Sequence, residues 1–261
     1  MEELVKKWLF ACGFNVTRQT KSEEVLALIR KLRPQDCGKE LIRIGADRDG
    51  GYLIPNDLAG IEYCFSPGVS TRSHFEDHLA NLKIRSFLAD YSVAAPPVSR
   101  PEFTFDKKYL GANDRDNFFT LATWKNKYLE GYTGDLLLQM DIEGFEYEVI
   151  LSTPPELLNQ FRIIVIEAHS LDKLFDRFAF GLISTCFDKL LQFFHVVHIH
   201  PNNCCGVVRK GDIEVPRMVE ITFLNRNRVS QVRPATVFPH ELDRDNVAEL
   251  ETLRLPGCWY S

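Results

Sequence analysis

Short, nearly unbroken apolar runs recur along this chain, and they limit its fold more than any other feature. Leu136-Leu137-Leu138-Gln139-Met140 and Ile163-Ile164-Val165-Ile166 are the clearest. Tyr63-Cys64-Phe65, Ile84 to Ala89, Val196-Val197-His198-Ile199-His200 and Val219 to Leu224 follow the same pattern, and Phe103-Thr104-Phe105 alternates like a strand. Helical patterns lie between them. Ser70-Thr71-Arg72-Ser73 precedes Phe75, Leu79 and Leu82, a further helix covers about Leu121 to Leu129, and another begins near Gly144 with Phe145, Val149 and Ile150. Leu174, Phe178, Leu182, Cys186 and Leu190 mark the core-facing side of a long helix. Strands that are apolar throughout are buried on both faces. The expected fold is α/β, with a mainly parallel central sheet and helices on both faces.

Composition narrows the function classes. Of 261 residues, 45% are hydrophobic and 26% charged, which suits one sizeable core and argues against disorder. The formal net charge of −5, with no basic block, argues against nucleic acid as a partner. No apolar run approaches the roughly 20 residues of a membrane span. Met1 to Phe14 lacks the apolar core and small-residue cleavage site of a signal peptide, so a cytoplasmic location is expected. Asn15-Val16-Thr17 fits a glycosylation sequon, which matters only in a secreted protein. The seven cysteines are scattered and odd in number, which predicts reduced structural thiols and no cysteine-based zinc site. His74 and His78 lie one helical turn apart but lack an HExxH context, so they read as a surface or half-buried pair.

Three regions are expected. Residues 1–40 form an N-terminal helical extension, with Val25, Leu28, Ile29 and Leu32 at helical spacing behind Ser22 and Pro34 as a stop. Residues 41–230 form the main domain. It opens with two short strands, Leu41 to Ile44 and Tyr52 to Ile54, around a glycine-rich turn, and it carries a proline-rich loop over 94–101. Residues 231–261 form a tail packed on that domain, with one short helix near Asn246 to Leu253.

In such sheets ligands bind at the carboxyl ends of the strands, near the point where strand order reverses. The residues found there are Ser66-Pro67-Gly68, Asp90, Asp141 with Glu143, Glu167 with His169, and His198 with His200-Pro201-Asn202-Asn203. Gly68 either makes a plain turn or lets a ligand approach the backbone. A GxGxxG pattern is absent, which disfavours a dinucleotide. Asp90, about twenty residues beyond the glycine turn, suits ribose hydroxyls, with a loop or cap role as the simpler reading. Asp141 and Glu143 share a side if strand geometry persists, unless Glu143 caps the following helix. Glu167 with His169, and His198 with His200, each share a face.

Taken in order, Asp49-Gly50-Gly51-Tyr52, Phe65-Ser66-Pro67-Gly68-Val69, Ser73-His74-Phe75-Glu76 and Asp141-Ile142-Glu143-Gly144-Phe145-Glu146 resemble the FkbM family of S-adenosylmethionine-dependent methyltransferases. Glu167-Ala168-His169, His200-Pro201-Asn202-Asn203 and Glu220-Ile221-Thr222-Phe223 are similar to its C-terminal half. The resemblance spans about residues 41–225 and implies a Rossmann-like methyltransferase fold. It also implies S-adenosyl-L-methionine as cofactor and a hydroxyl of a sugar, glycan or other small natural product as acceptor. By the same resemblance Ser66, Gly68, Asp90 and Asp141 contact the cofactor.

A sugar hydroxyl is a poor nucleophile, so a base or a metal must ease its deprotonation. His169 or His200 is the candidate base, with Asp141 and Glu167 holding the acceptor or orienting the base. A divalent ion on Asp141, Glu167 and His169 is the second reading; the metal-free base is preferred. Two other functions stay open, a nucleotide-sugar-modifying α/β enzyme and a non-catalytic relative that binds the cofactor.

Overall fold

The computed structural model describes residues 2–14 and 16–261, so Asn15 of the sequon lies outside the described residues. The chain begins with α1 (Glu2–Ala11), α2 (Ser22–Lys31) and β1 (Gln35–Asp36), then the hairpin of β2 (Leu41–Gly45) and β3 (Gly51–Pro55). Next come β4 (Tyr63–Pro67), α3 (His74–Asn81), β5 (Arg85–Ala89), β6 (Phe103–Asp106), and the short β7 (Tyr109–Leu110) and β8 (Phe118–Phe119). These are followed by α4 (Leu121–Leu129), β9 (Leu136–Met140), α5 (Glu146–Ser152), α6 (Pro155–Gln160) and β10 (Phe161–Ala168). The last part holds α7 (Arg177–Phe193), β11 (Phe194–Pro201), a hairpin of β12 (Val207–Lys210) and β13 (Ile213–Pro216), β14 (Val219–Asn225) and β15 (Arg233–Pro234).

Seven strands form the central sheet, in the order β11-β14-β10-β9-β4-β5-β6. The pairs among β6, β5, β4, β9 and β10 are parallel, and β14 runs antiparallel between β10 and β11. Strand order reverses between β4 and β9, which opens a crevice at their carboxyl ends. No helix among the described residues is long and apolar enough to cross a membrane.

Alternation along the strands feeds two cores. Phe65, Leu138, Met140 and Ile164 face a core completed by Trp124 of α4, Val149 of α5 and Phe187 of α7. Val25, Leu28 and Ile29 of α2, with Leu32, are buried in this same core. Each large side chain buried this way contributes about 1.5–3 kcal/mol. Cys64, Leu137, Ile163 and Val165 face the opposite side, against Phe75 and Leu79 of α3 and Ile44, Tyr52 and Ile54 of the hairpin. The second face is therefore covered by one helix and a β-hairpin rather than by a full helical layer. The β5–β6 connection has no helix, because Pro96, Pro97 and Pro101 withhold donors and fix φ through it.

Three expectations are corrected here. The long helix starts only at Arg177, because Asp176 caps it, Oδ1 accepting from the N–H groups of Phe178 (3.0 Å) and Ala179 (2.9 Å). Leu174 sits in a preceding 3₁₀ turn, and the buried side of α7 is Ile183, Cys186, Phe187 and Leu190, leaving Phe178 and Leu182 exposed. Residues 246–253 form turns and coil, not a helix; the tail is anchored instead by Trp259, buried with its Nε1 donating to the Glu214 carbonyl at 3.1 Å. Cys204 and Cys205, adjacent in the turn after β11, are joined to each other rather than reduced, while Cys12, Cys37, Cys64, Cys186 and Cys258 are free.

Candidate active site

A cavity of about 710 Å³ opens at the strand-order reversal, within the range of small-molecule sites. Gly68 after β4, Asp90 after β5 and Asp141 after β9 all line it. Tyr109, Leu110 and Phe118 from β7 and β8 form an apolar wall. Asp49, Gly50 and Tyr52 of the β2–β3 hairpin form a second, polar wall, and an ion pair between Asp49 and Arg72 ties the hairpin tip to the loop after β4.

Asp90 is buried and already engaged. Its Oδ2 accepts from the Ser70 N–H (2.8 Å), and its Oδ1 accepts from the Ser92 N–H (2.7 Å) and hydroxyl (2.6 Å). A carboxylate has about four acceptor positions, so one remains for a ligand hydroxyl. The loop role weighed for Asp90 is therefore the one seen in these contacts.

Gly68 has φ +90°, a conformation open to glycine. The space beside its Cα is filled by the carbonyl of Asp141, so the glycine is required by backbone packing of β4 against the loop after β9. Gly68 also lines the cavity, so a ligand can still approach its backbone from that side.

Ser66 does not line the cavity; it is fully buried one layer beneath. Its hydroxyl donates to Gln139 Oε1 at 2.6 Å and also contacts Glu76. A hydroxyl has one proton, so with that proton on Gln139 the Glu76 carboxyl must supply its own. Burial agrees, pushing Glu76 up to about 7.

Asp141, Glu167 and His169 come together as expected: one ligand-type atom from each lies within 4.8 Å of the others. β9 and β10 are neighbours in parallel register, so their carboxyl ends meet. The backbone turns after Met140, with Glu143 at φ +58° and Gly144 at φ +103°. Asp141 Oδ1 and Glu143 Oε2 stand 3.7 and 3.6 Å from His169 Nε2. Glu146, not Glu143, satisfies the turn: its Oε1 accepts from the N–H groups of Ile142 (2.9 Å) and Gly144 (3.2 Å). The same oxygen lies 3.0 Å from His169 Nδ1. Burial and the neighbouring Glu167 raise Asp141 far above the usual carboxylate range. For His169 burial works downward, but the hydrogen bond and charge of Glu146, with Glu167 and Glu143, prevail and raise its pKa.

His200 stands apart from this cluster and does not line the cavity. It pairs across the sheet with Glu220, which pairs in turn with Glu167. His198 Nε2 lies 2.9 Å from Asp243 Oδ1 and His200 Nδ1 lies 3.7 Å from it, so both imidazoles face a carboxylate of the C-terminal segment. Asn246 Nδ2 donates to Glu220 Oε1 at 2.7 Å, and Asn203 Nδ2 donates to the Val247 carbonyl at 2.8 Å. The tail thus closes one side of the strand-end layer. His74 is exposed on the cavity wall, and half-buried His78 accepts at Nδ1 from the Gly45 N–H at 3.3 Å.

Sequence reading missed four contributors. Glu220 opens β14, and only an antiparallel strand brings its beginning to the carboxyl edge. Asn202 was visible at a strand end, but not its bond to Glu167 Oε1 (2.6 Å). Asp243 arrives from a distant segment without a local signal, and the Asp49–Tyr52 hairpin, though part of the family resemblance, had no signal placing it on the cavity.

A search of curated proteins finds no match to the chain. The family resemblance read from the sequence is shown over one stretch: residues 111–197, which carry Asp141, Glu167 and His169, match the family model of the methyltransferase FkbM domain.

Proposed function

We propose that this protein is an S-adenosylmethionine-dependent O-methyltransferase acting on a hydroxyl of a sugar, glycan or other small natural product. The observation that carries the reading is the placement of the cavity. It lies at the strand-order reversal, between Asp90 on one side and Asp141 with Glu143 on the other, in a chain with an FkbM methyltransferase match. The strand order, with its single antiparallel β14, supports a Rossmann-like methyltransferase sheet.

The residues suit the cofactor. Asp90 has one acceptor position left for a ribose hydroxyl, and Tyr109, Leu110 and Phe118 offer an apolar wall to a purine. When bound, S-adenosylmethionine supplies an electrophilic methyl group. The chain's residues hold the acceptor oxygen near it and exclude water. Deprotonation of the acceptor falls to the Asp141–Glu167–His169 cluster, which reaches the cavity through Asp141. A cytoplasmic location is part of this reading.

Calorimetry with S-adenosylhomocysteine, followed by methyl transfer to a panel of hydroxylated acceptors, tests the proposal. Binding near micromolar affinity with turnover supports it. Binding of a nucleotide sugar, with none of S-adenosylhomocysteine, would replace it with the nucleotide-sugar reading. Cofactor binding without turnover on any acceptor would favour a non-catalytic relative.

A further inference from the structure

We infer that Asp141, Glu167 and His169 form a divalent-cation site of the Mg²⁺/Mn²⁺ class at the edge of the cavity. One atom from each residue lies within 4.8 Å of the others, the spacing of ligands around a single ion. Two carboxylates and one imidazole are a donor set for such cations, the imidazole favouring Mn²⁺ over Mg²⁺.

The hydrogen bonds of His169 point the same way. Its Nδ1 lies 3.0 Å from Glu146 Oε1 and 3.0 Å from the Glu167 carbonyl, and both are acceptors. We therefore assign a ring proton to Nδ1, so that in the neutral ring, the form that binds a metal, the lone pair is on Nε2. The side chain is more than nine-tenths buried, and among the described residues its hydrogen bonds run through Nδ1. It faces Asp141 Oδ1 and Glu143 Oε2 from beyond hydrogen-bond reach, at 3.7 and 3.6 Å. A cation between them would satisfy the lone pair and both carboxylates at once, a role otherwise left to a proton. Among the described residues, the ion pairs of Asp141, Glu143 and Glu146 are all with His169, so no lysine or arginine supplies that charge.

Outer contacts hold the ligands in place, as is usual around metals. Glu146 fixes the ring of His169, and Asn202 fixes one oxygen of Glu167. Asp141 and Glu143 also line the cavity, so the ion would meet a ligand there. Resting on the methyltransferase reading, its role is to bind and polarise the acceptor hydroxyl. On this view His169 is a ligand rather than a base, the ion lowers the pKa of the acceptor hydroxyl, and the released proton passes to solvent.

The test is electron paramagnetic resonance titration of chelator-treated full-length protein with Mn²⁺. One ion per chain is expected. Glu167→Gln and His169→Gln should each lose it. Glu146→Gln, which keeps an acceptor for the turn and for His169 but removes the charge behind the ring, should weaken it about 10–100-fold. Circular dichroism of each variant checks folding. No Mn²⁺ binding by folded wild-type protein overturns the inference, as does binding unchanged in folded Glu167→Gln and His169→Gln. S-adenosylhomocysteine calorimetry on the same samples reads the methyltransferase proposal separately, so either can fail alone.

Discussion

The carbonyl oxygen of Asp141 occupies the place a side chain on Gly68 would need, so a Cβ built there would collide with it. The loops after β4 and β9 thus touch backbone to backbone beside the cavity. Gly68→Ala adds this clash to the cost of a positive φ, and the expected loss is roughly 2–4 kcal/mol of stability. Urea unfolding measures it directly. An unchanged midpoint would show that the Asp141 turn moves aside freely.

Glu76 makes stability depend on pH. Burial lifts its folded pKa to about 7 from 4.5. The folded state holds a proton that the unfolded chain releases, so this stabilisation is complete below about pH 4.5. It falls as pH rises toward 7 and is absent above, a change of about 3 kcal/mol at most. Glu76→Gln keeps a donor for Ser66 without the titration. Wild type should lose stability relative to this variant between pH 4.5 and 7. Parallel curves for the two proteins across that window would exclude a protonated Glu76.

Asp90 is predicted to serve both the loop and the ligand. Asp90→Ala removes the acceptor of the Ser70 and Ser92 N–H groups together with the spare ligand position. S-adenosylhomocysteine affinity should fall about 10–100-fold, the loss of a charge-assisted hydrogen bond. Equal affinities by calorimetry would remove Asp90 from the cofactor site.

Much of the candidate site was legible because its signals are local. An apolar run stopped by Asp141, or by Glu167 and His169, states in one stretch of sequence both that a strand is buried and what stands at its end. Ser66 misled for the same reason. It also ends an apolar run, but strand alternation turns it under the cavity toward Glu76 and Gln139. Phe178 and Leu182 match a helical period, yet the face of α7 that packs is set by α5 and β11.

The sequence alone determined the α/β class, the main strands and the ionisable groups at their ends, because hydrophobic period and chain-breaking residues act over a few neighbours. Which ends meet was decided only by the tertiary structure. Strand order brought β9 beside β10 and so joined Asp141 to His169, and the reversed direction of β14 delivered Glu220 to Glu167. The returning tail set Asp243 against His198. These pairings depend on contacts far apart in the chain, so no short window of residues encodes them.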